Sequence, residues 1–282
     1  MPTIRVDGID LAYEERGSGP PVLLISPAAS RATLWELHQV PALLAAGHRV
    51  ITFDNRGMAP SSCPPGPYRL ADLVADAAGL IRALGHGPVT VVGASMGAMI
   101  GQELALAHPE LVVSAALLGT RARADRFRTA MTEASAERVR QGAAANGVRH
   151  VAVSLMCQLF SPRSLADDAT VADWLDVLTA FPITGEGAAL QYEATLAGDR
   201  REALSGVTRP VLVVSFSDDL IMPPFLGREA AEAIPGARYA EVPGCGHFGF
   251  LERPEVVNRI LVDFLARTAT ASARPTDAAG RP

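Results

Sequence analysis

The stretch "VTVVGASMGAMIGQELALAHPE", Val89–Glu110, places a short apolar run directly before Gly-x-Ser-x-Gly and a segment of helical length directly after it. Ser95 therefore falls at a strand-to-helix junction. A nucleophile at that place has to make a sharp turn in a strained, positive-φ backbone. Gly93 and Gly97, two residues to either side, leave room for such a turn because a Cβ there would crowd it. A helix opening at Met96 points its unpaired N–H groups at any oxyanion formed beside Ser95. The plainer reading of the same residues is a small-residue junction with a capping serine, so the surrounding chain has to decide.

Strand and helix patterns alternate around that junction. "TIRVDG" and "IDLAYEE" form an opening hairpin about Asp7-Gly8. Pro21–Ser26, Arg49–Asp54, Val89–Ala94 and Ser114–Gly119 are apolar runs bounded by turn residues, as in parallel strands buried on both faces. Leu34–Ala46, Leu70–Leu84 and Met96–Ala107 have helical length and period between them. Pro210–Ser215, Phe225–Ile234, Ala237–Val242 and Pro254–Ala266 resume the rhythm. This pattern predicts an α/β fold with a mostly parallel central sheet flanked by helices. Residues 1–120 and 202–268 make its core. Residues 121–201 contain no strand pattern and are expected to be a helical lid over the sheet edge where the strands end. Trp174, Phe181 and Met156 are the bulky apolar groups from which that lid builds a substrate pocket. Residues 269–282 are rich in Ala, Pro and Thr without apolar periodicity, and are expected to be a disordered tail.

Composition removes several chemistries. All basic residues are arginine, so Schiff-base, pyridoxal-lysine and Walker-lysine mechanisms are absent. A net charge of −5 gives the chain no electrostatic case for nucleic acid. No unbroken apolar run of membrane-spanning length occurs, and the start of the sequence has no signal-peptide pattern. Cys63, Cys157 and Cys245 are too few for a disulfide framework or a zinc site. A reducing cytoplasm is the expected location, and no metal is expected.

A nucleophilic serine needs a base and an orienting acid. Of the six histidines, His247 alone lies in a glycine-rich loop between the last strand and the last helix, "PGCGHFGFLERP". A loop histidine there can reach sideways to the end of another strand. The segment "VLVVSFSDDLIMPP" ends a strand and presents Asp218 and Asp219, whose adjacent side chains diverge, so at most one of the two is expected to face His247. The chain order serine, acid, histidine differs from that of chymotrypsin and subtilisin types.

In these residues the chain resembles the α/β-hydrolase family across residues 3–267, in a serine esterase, lactonase and cofactor-free haloperoxidase-like branch. Five patterns carry the likeness: "GASMGA" as nucleophile elbow, "FDNRGMAPS" after a strand, "LAHPELV" after the nucleophile helix, "SDDLIMPP", and "PGCGHFGFLERP". The family's acid stands four residues before a proline, which points to Asp219 before Pro223 and leaves Asp218 as the alternative acid. The segment "LLGTRARAD", which has no carboxylate at the strand end, argues against the family's variant with an acid after the preceding strand. In place of the family's His-Gly this chain has Ser26-Pro27, and Ala28 falls on the backbone donor position. The resemblance thus implies an oxyanion hole made by the Met96 and Ala28 N–H groups, and structural roles for Asp54 and Arg56.

The chemistry these parts imply is acyl transfer from a carboxylic ester, lactone or thioester to Ser95 and then to water, with no organic cofactor. A serine at the elbow speaks against dehalogenase and epoxide-hydrolase chemistry. Three alternatives remain: an acyltransferase or thioesterase acting with a carrier protein, a cofactor-free perhydrolase or haloperoxidase, and a ligand receptor that retains a triad. Seven arginines between Arg121 and Arg149, against Asp125, Glu133 and Glu137, give the start of the lid a local positive charge. That charge would suit docking of an anionic acyl carrier protein; a solvated arginine face is the plainer reading.

Overall fold

The computed structural model describes residues 1–272. Eight strands form one sheet: β1 (Thr3–Val6), β2 (Ile9–Arg16), β3 (Pro21–Ile25), β4 (Arg49–Phe53), β5 (Val89–Ala94), β6 (Val112–Leu118), β7 (Val211–Phe216) and β8 (Arg238–Val242). Their spatial order is β1-β2-β4-β3-β5-β6-β7-β8. β2 runs antiparallel to β1 and β4, and all later pairings are parallel. The opening hairpin turns at Asp7 and Gly8, both at positive φ, as a tight two-residue turn demands.

Burial on both faces explains the unbroken apolar strands. Leu23, Ile25 and Val91 point into a core shared with helices α2 (Leu70–Leu84) and α3 (Met96–Ala107). Their alternating neighbours Val22, Leu24 and Val92 point into a second core. That core is completed by α1 (Gln39–Ala45) and by α12 (Pro254–Ser272).

Between β6 and β7 the chain is wholly helical: α4 (Arg126–Asn146), α5 (Val148–Leu159), α6 (Pro162–Leu165), α7 (Asp168–Ala180), α8 (Glu186–Ala194) and α9 (Arg201–Leu204). α10 (Pro224–Ala233) joins β7 to β8, and the short α11 (Gly249–Glu252) precedes α12. No helix among the described residues is long and apolar enough to cross a membrane.

Two sequence expectations change. The helix read over Leu34–Ala46 is a 3-10 turn, Ala32–Leu37, followed by α1. Pro41 has no N–H to bond Leu37 and so cannot continue a helix from it; it fits only in a first turn. The tail expected from residue 269 begins as helix, because α12 continues to Ser272. Thr268 is buried and docks this end on β6, its Oγ1 accepting from Ser114 Oγ at 3.1 Å. The remainder of the expected tail, 273–282, lies outside the described residues.

Candidate active site

The C-terminal ends of β3, β5, β6, β7 and β8 converge on one edge of the sheet, the usual place for ligands in parallel sheets. β5 ends at Ala94 and α3 starts at Met96, so Ser95 makes the turn alone, at φ 54° and ψ −115°. The elbow needs its glycines. A Cβ on Gly93 would stand 2.1 Å from the Gly97 carbonyl oxygen, and one on Gly97 would stand 2.0 Å from the Ile25 carbonyl oxygen. The Ser95 N–H donates to the Leu118 carbonyl at 2.9 Å, tying the elbow to the end of β6. Met96 is the first residue of α3, where an N–H has no partner within the helix.

Asp219 and His247 meet beside that end of β6. Asp219 Oδ2 lies 2.7 Å from His247 Nδ1. The pair is buried, at 2% and 4% exposure. The other carboxylate oxygen, Oδ1, accepts from the Ile221 and Met222 N–H groups at 2.8 and 2.7 Å, which fixes the carboxylate before the histidine is considered. Gly119, which follows β6, borders both side chains: a Cβ there would be 3.3 Å from Asp219 Oδ2 and 3.4 Å from His247 Cε1. Asp218 turns the other way. Its N–H donates to the Cys245 carbonyl at 3.0 Å, and its carboxylate accepts from Ser217 Oγ at 3.0 Å. The carboxylate four residues before Pro223 is therefore the one facing His247, and its neighbour serves the turn.

The loop after β3 approaches from the opposite side. Ser26 Oγ accepts from Trp35 Nε1 at 3.1 Å. Ala29 takes a positive φ of 56°, and its N–H donates to Gln191 Oε1 at 2.7 Å. Gln191 Nε2 in turn donates to the Arg56 carbonyl at 2.6 Å. Ala28 lies within this braced turn and borders the same cavity as Ser95. Asp54 Oδ1 accepts from the Ala32 N–H at 2.6 Å, and burial pushes the Asp54 carboxyl above its usual range. Arg56 grips Asp76 with two bonds of 2.5 and 2.6 Å. Both residues bind protein groups beside the site.

Gln191 and Glu252 carry positioning contacts that single-sequence reasoning does not reveal. Glu252 Oε1 accepts from the Gly246 N–H at 2.6 Å, one residue before His247. Its Oε2 accepts from the Ser161 N–H (3.0 Å), Ser161 Oγ (2.6 Å) and Ser164 Oγ (2.5 Å). The Phe248 N–H donates to the Leu159 carbonyl at 2.9 Å. The histidine loop is thus fastened on both sides to the end of α5 and to α6. Glu252 sits inside the quoted loop stretch, but its partners Ser161 and Ser164 stand 91 and 88 residues away, and nothing local points to them.

The cavity beside Ser95 measures about 60 Å³ and is walled by Leu155, Leu159, Ile221 and Met222, with Arg121 and Arg128 also bordering it. Trp174, Phe181 and Met156, expected to form its lining, do not. On α5 the residues bordering the cavity are Leu155, Gln158 and Leu159; Met156 is rotated about 100° from Leu155 and is buried. Trp174 packs its ring on Phe160, centroids 5.0 Å apart. Phe181 is 78% exposed. The arginines at the start of the helical segment also divide. Arg123 holds Glu229 with bonds of 2.8 and 2.7 Å, Arg140 pairs with Glu186 and Glu193, and Arg121 is buried.

Comparisons with known proteins agree with this architecture. A family model described as alpha/beta hydrolase fold matches residues 20–254. A Mycobacterium tuberculosis protein named "Putative non-heme bromoperoxidase BpoC" is 42% identical over 92% of this chain and 98% of its own length. Its crystal structure aligns with a TM-score of 0.84, over 92% of this chain and 96% of that one. An Azorhizobium caulinodans protein named "Putative carbamate hydrolase RutD" is 33% identical over 94% of this chain and 98% of its own. The enol-lactonase from Burkholderia xenovorans LB400 is 30% identical, with a TM-score of 0.81 over 94% of this chain and 100% of that one.

Proposed function

The chain belongs to the α/β-hydrolase family, and from that premise we propose that it is a serine hydrolase, cleaving a carboxylic ester, lactone or thioester through an acyl-enzyme on Ser95. The observation that carries this reading is the buried His247 Nδ1–Asp219 Oδ2 contact of 2.7 Å beside the strained Ser95 elbow. With Nδ1–H donating to Asp219, the unprotonated Nε2 is left as the base. It takes the Ser95 proton as Oγ attacks the carbonyl carbon. The Met96 and Ala28 N–H groups receive the developing oxyanion. His247 then gives its proton to the leaving oxygen or sulfur, and the acyl group stays on Ser95. Water, deprotonated by the same Nε2, attacks the acyl carbon; the bond to Ser95 Oγ breaks, the imidazolium returns its proton to Oγ, and the acid is released. Asp219 remains ionised throughout and stabilises the imidazolium. The helical segment between β6 and β7 is the lid that closes the acyl pocket.

A panel of p-nitrophenyl esters, lactones and acyl thioesters tests the reading, with mass spectrometry for an added acyl mass. Turnover with the adduct on the Ser95 peptide is expected. Turnover that survives in Ser95→Ala protein, or an adduct on another residue, overturns it.

A second resolution of the same intermediate is favoured by the 42% identity to the mycobacterial protein named as a bromoperoxidase. Hydrogen peroxide in place of water attacks the acyl carbon, Ser95 leaves with a proton, and a peracid departs. The peracid can oxidise bromide to hypobromite and so return to the acid. Peroxide-dependent bromination that disappears with Ser95→Ala supports this branch; bromination independent of an acyl donor removes it.

A further inference from the structure

The cavity that Ser95 borders is positively charged, and this bears on what enters it. Arg121 follows β6 by three residues and is 2% exposed. Its Nη2 donates to the Thr195 carbonyl at 3.1 Å. Among the described residues no carboxylate forms an ion pair with it, and burial pushes its guanidinium down to about 10, so it is cationic at neutral pH. Arg128 borders the same cavity. Its Nη1 meets Asp125 Oδ2 at 3.1 Å and its Nη2 donates to the Leu220 carbonyl at 3.1 Å. Its Nε is buried with no hydrogen-bond partner. Asp125 is the one carboxylate paired with either arginine, and its Oδ1 is already engaged by the Arg128 N–H at 2.8 Å. No acidic side chain lines the cavity.

Two guanidiniums against one carboxylate leave one positive charge uncompensated in a cavity whose other walls are apolar (Leu155, Leu159, Ile221, Met222) or neutral and polar (Thr132, Gln158). Such a charge is costly to fold and gains most from an anion that enters dry. A planar guanidinium matches a carboxylate with two parallel bonds. The cavity itself is small, about 60 Å³.

We propose that Arg121, assisted by Arg128, binds a free carboxylate carried by the substrate itself, so that the enzyme acts on esters or lactones of short acids bearing a second acid group. This rests on the serine-hydrolase reading given above and narrows its substrate class. Arg121 acts here as a specificity residue: it holds the far end of the molecule while Ser95 meets the reacting carbonyl.

The test compares monoethyl succinate and monoethyl glutarate with the isosteric neutral amides, in which the free acid is replaced by a primary amide. The expected kcat/KM preference for acid over amide in the wild type is about tenfold or more, the scale of one charge-assisted contact. Arg121→Gln keeps a neutral hydrogen-bond donor but carries no charge, and is expected to bring that preference close to one. Arg121→Lys recovers part of it. Binding of free succinate or glutarate to Ser95→Ala protein, by calorimetry, reads the subsite without any turnover. It should weaken about tenfold or more on adding Arg121→Gln, or Arg128→Gln if that variant does not fold. A wild-type preference of one or less, or a preference unchanged in Arg121→Gln, overturns the proposal. If neither ester is turned over, the hydrolase reading fails for this class while dicarboxylate binding still decides the subsite: arginine-dependent binding supports it, and no binding overturns it.

Discussion

Ser95 owes its turn to glycines two residues away and Asp219 the grip on its Oδ1 to amides two and three residues on, whereas the loops around them are held by partners far along the chain. Gly93 and Gly97 let Ser95 turn, and the amides of Ile221 and Met222 grip Asp219. Across the cavity, Gln191 reaches Ala29 over 162 residues, and Glu252 reaches Ser161 over 91. Short-range geometry thus shapes the Ser95 turn and the Asp219 carboxylate, and long-range polar bonds fix the loops around them. Damage to the first kind should remove chemistry and spare the fold. Damage to the second should move stability and rate together.

The largest effect tests the short-range side. Ser95→Ala and His247→Ala should each lower turnover by about 10³ or more, because the residues act as a unit. For Ser95→Ala, circular dichroism and melting temperature should barely change. A Ser95→Ala protein keeping a tenth of the rate would break the comparison at its strongest point. Next comes the pair of adjacent acids. Asp219→Asn should cost about 10³–10⁴ in kcat by stabilising the wrong imidazole tautomer, and Asp218→Asn should stay within about tenfold. Steady-state rates on one activated ester separate them, and a reversed order would show that the turn and the acid had been exchanged.

Glu252→Gln addresses the long-range side. It weakens a carboxylate that accepts from Gly246, Ser161 and Ser164. A loss of about 1–3 kcal/mol in denaturant unfolding is expected, with a fall of about tenfold in kcat as the His247 loop loosens. Unchanged stability with a large rate loss would place Glu252 on the chemical side instead. The smallest effects concern the aromatic residues outside the cavity. Trp174→Ala should lose about 0.5–1.5 kcal/mol of aromatic contact beyond its area burial. Phe181→Ala should stay within about 0.5 kcal/mol. Chain-length preference on p-nitrophenyl esters should move in neither.

What could be read from sequence follows the same division. Strands buried on both faces are unbroken apolar runs, so β5 and its parallel neighbours are visible without a structure, as are α2 and α3 with their ends. The elbow and the spacing of Asp219 from Pro223 are short-range patterns, and they name the residues that the structure gathers at the strand ends. Pro41 was legible in principle: a proline inside an apparent helix marks a break. The walls were not. Aromatic content said that Trp174 and Phe181 could line a pocket, but which face of a helix turns inward is set by tertiary packing. Arginines read as a surface group because arginine is seldom buried, and nothing within the 121–149 stretch says that Arg121 alone is enclosed.

The four-way grip of Glu252 also has a dynamic meaning. Breaking it exposes a carboxylate, two hydroxyls and two amides at once, so the histidine loop and the end of α5 should open as one cooperative unit. Amide hydrogen exchange would then report a common opening free energy for Gly246, Phe248 and Ser161, although they sit on separate segments. Motion of the helical cover at that end and displacement of the base would be a single event, so an opening there that admits solvent would also withdraw His247 from its partner.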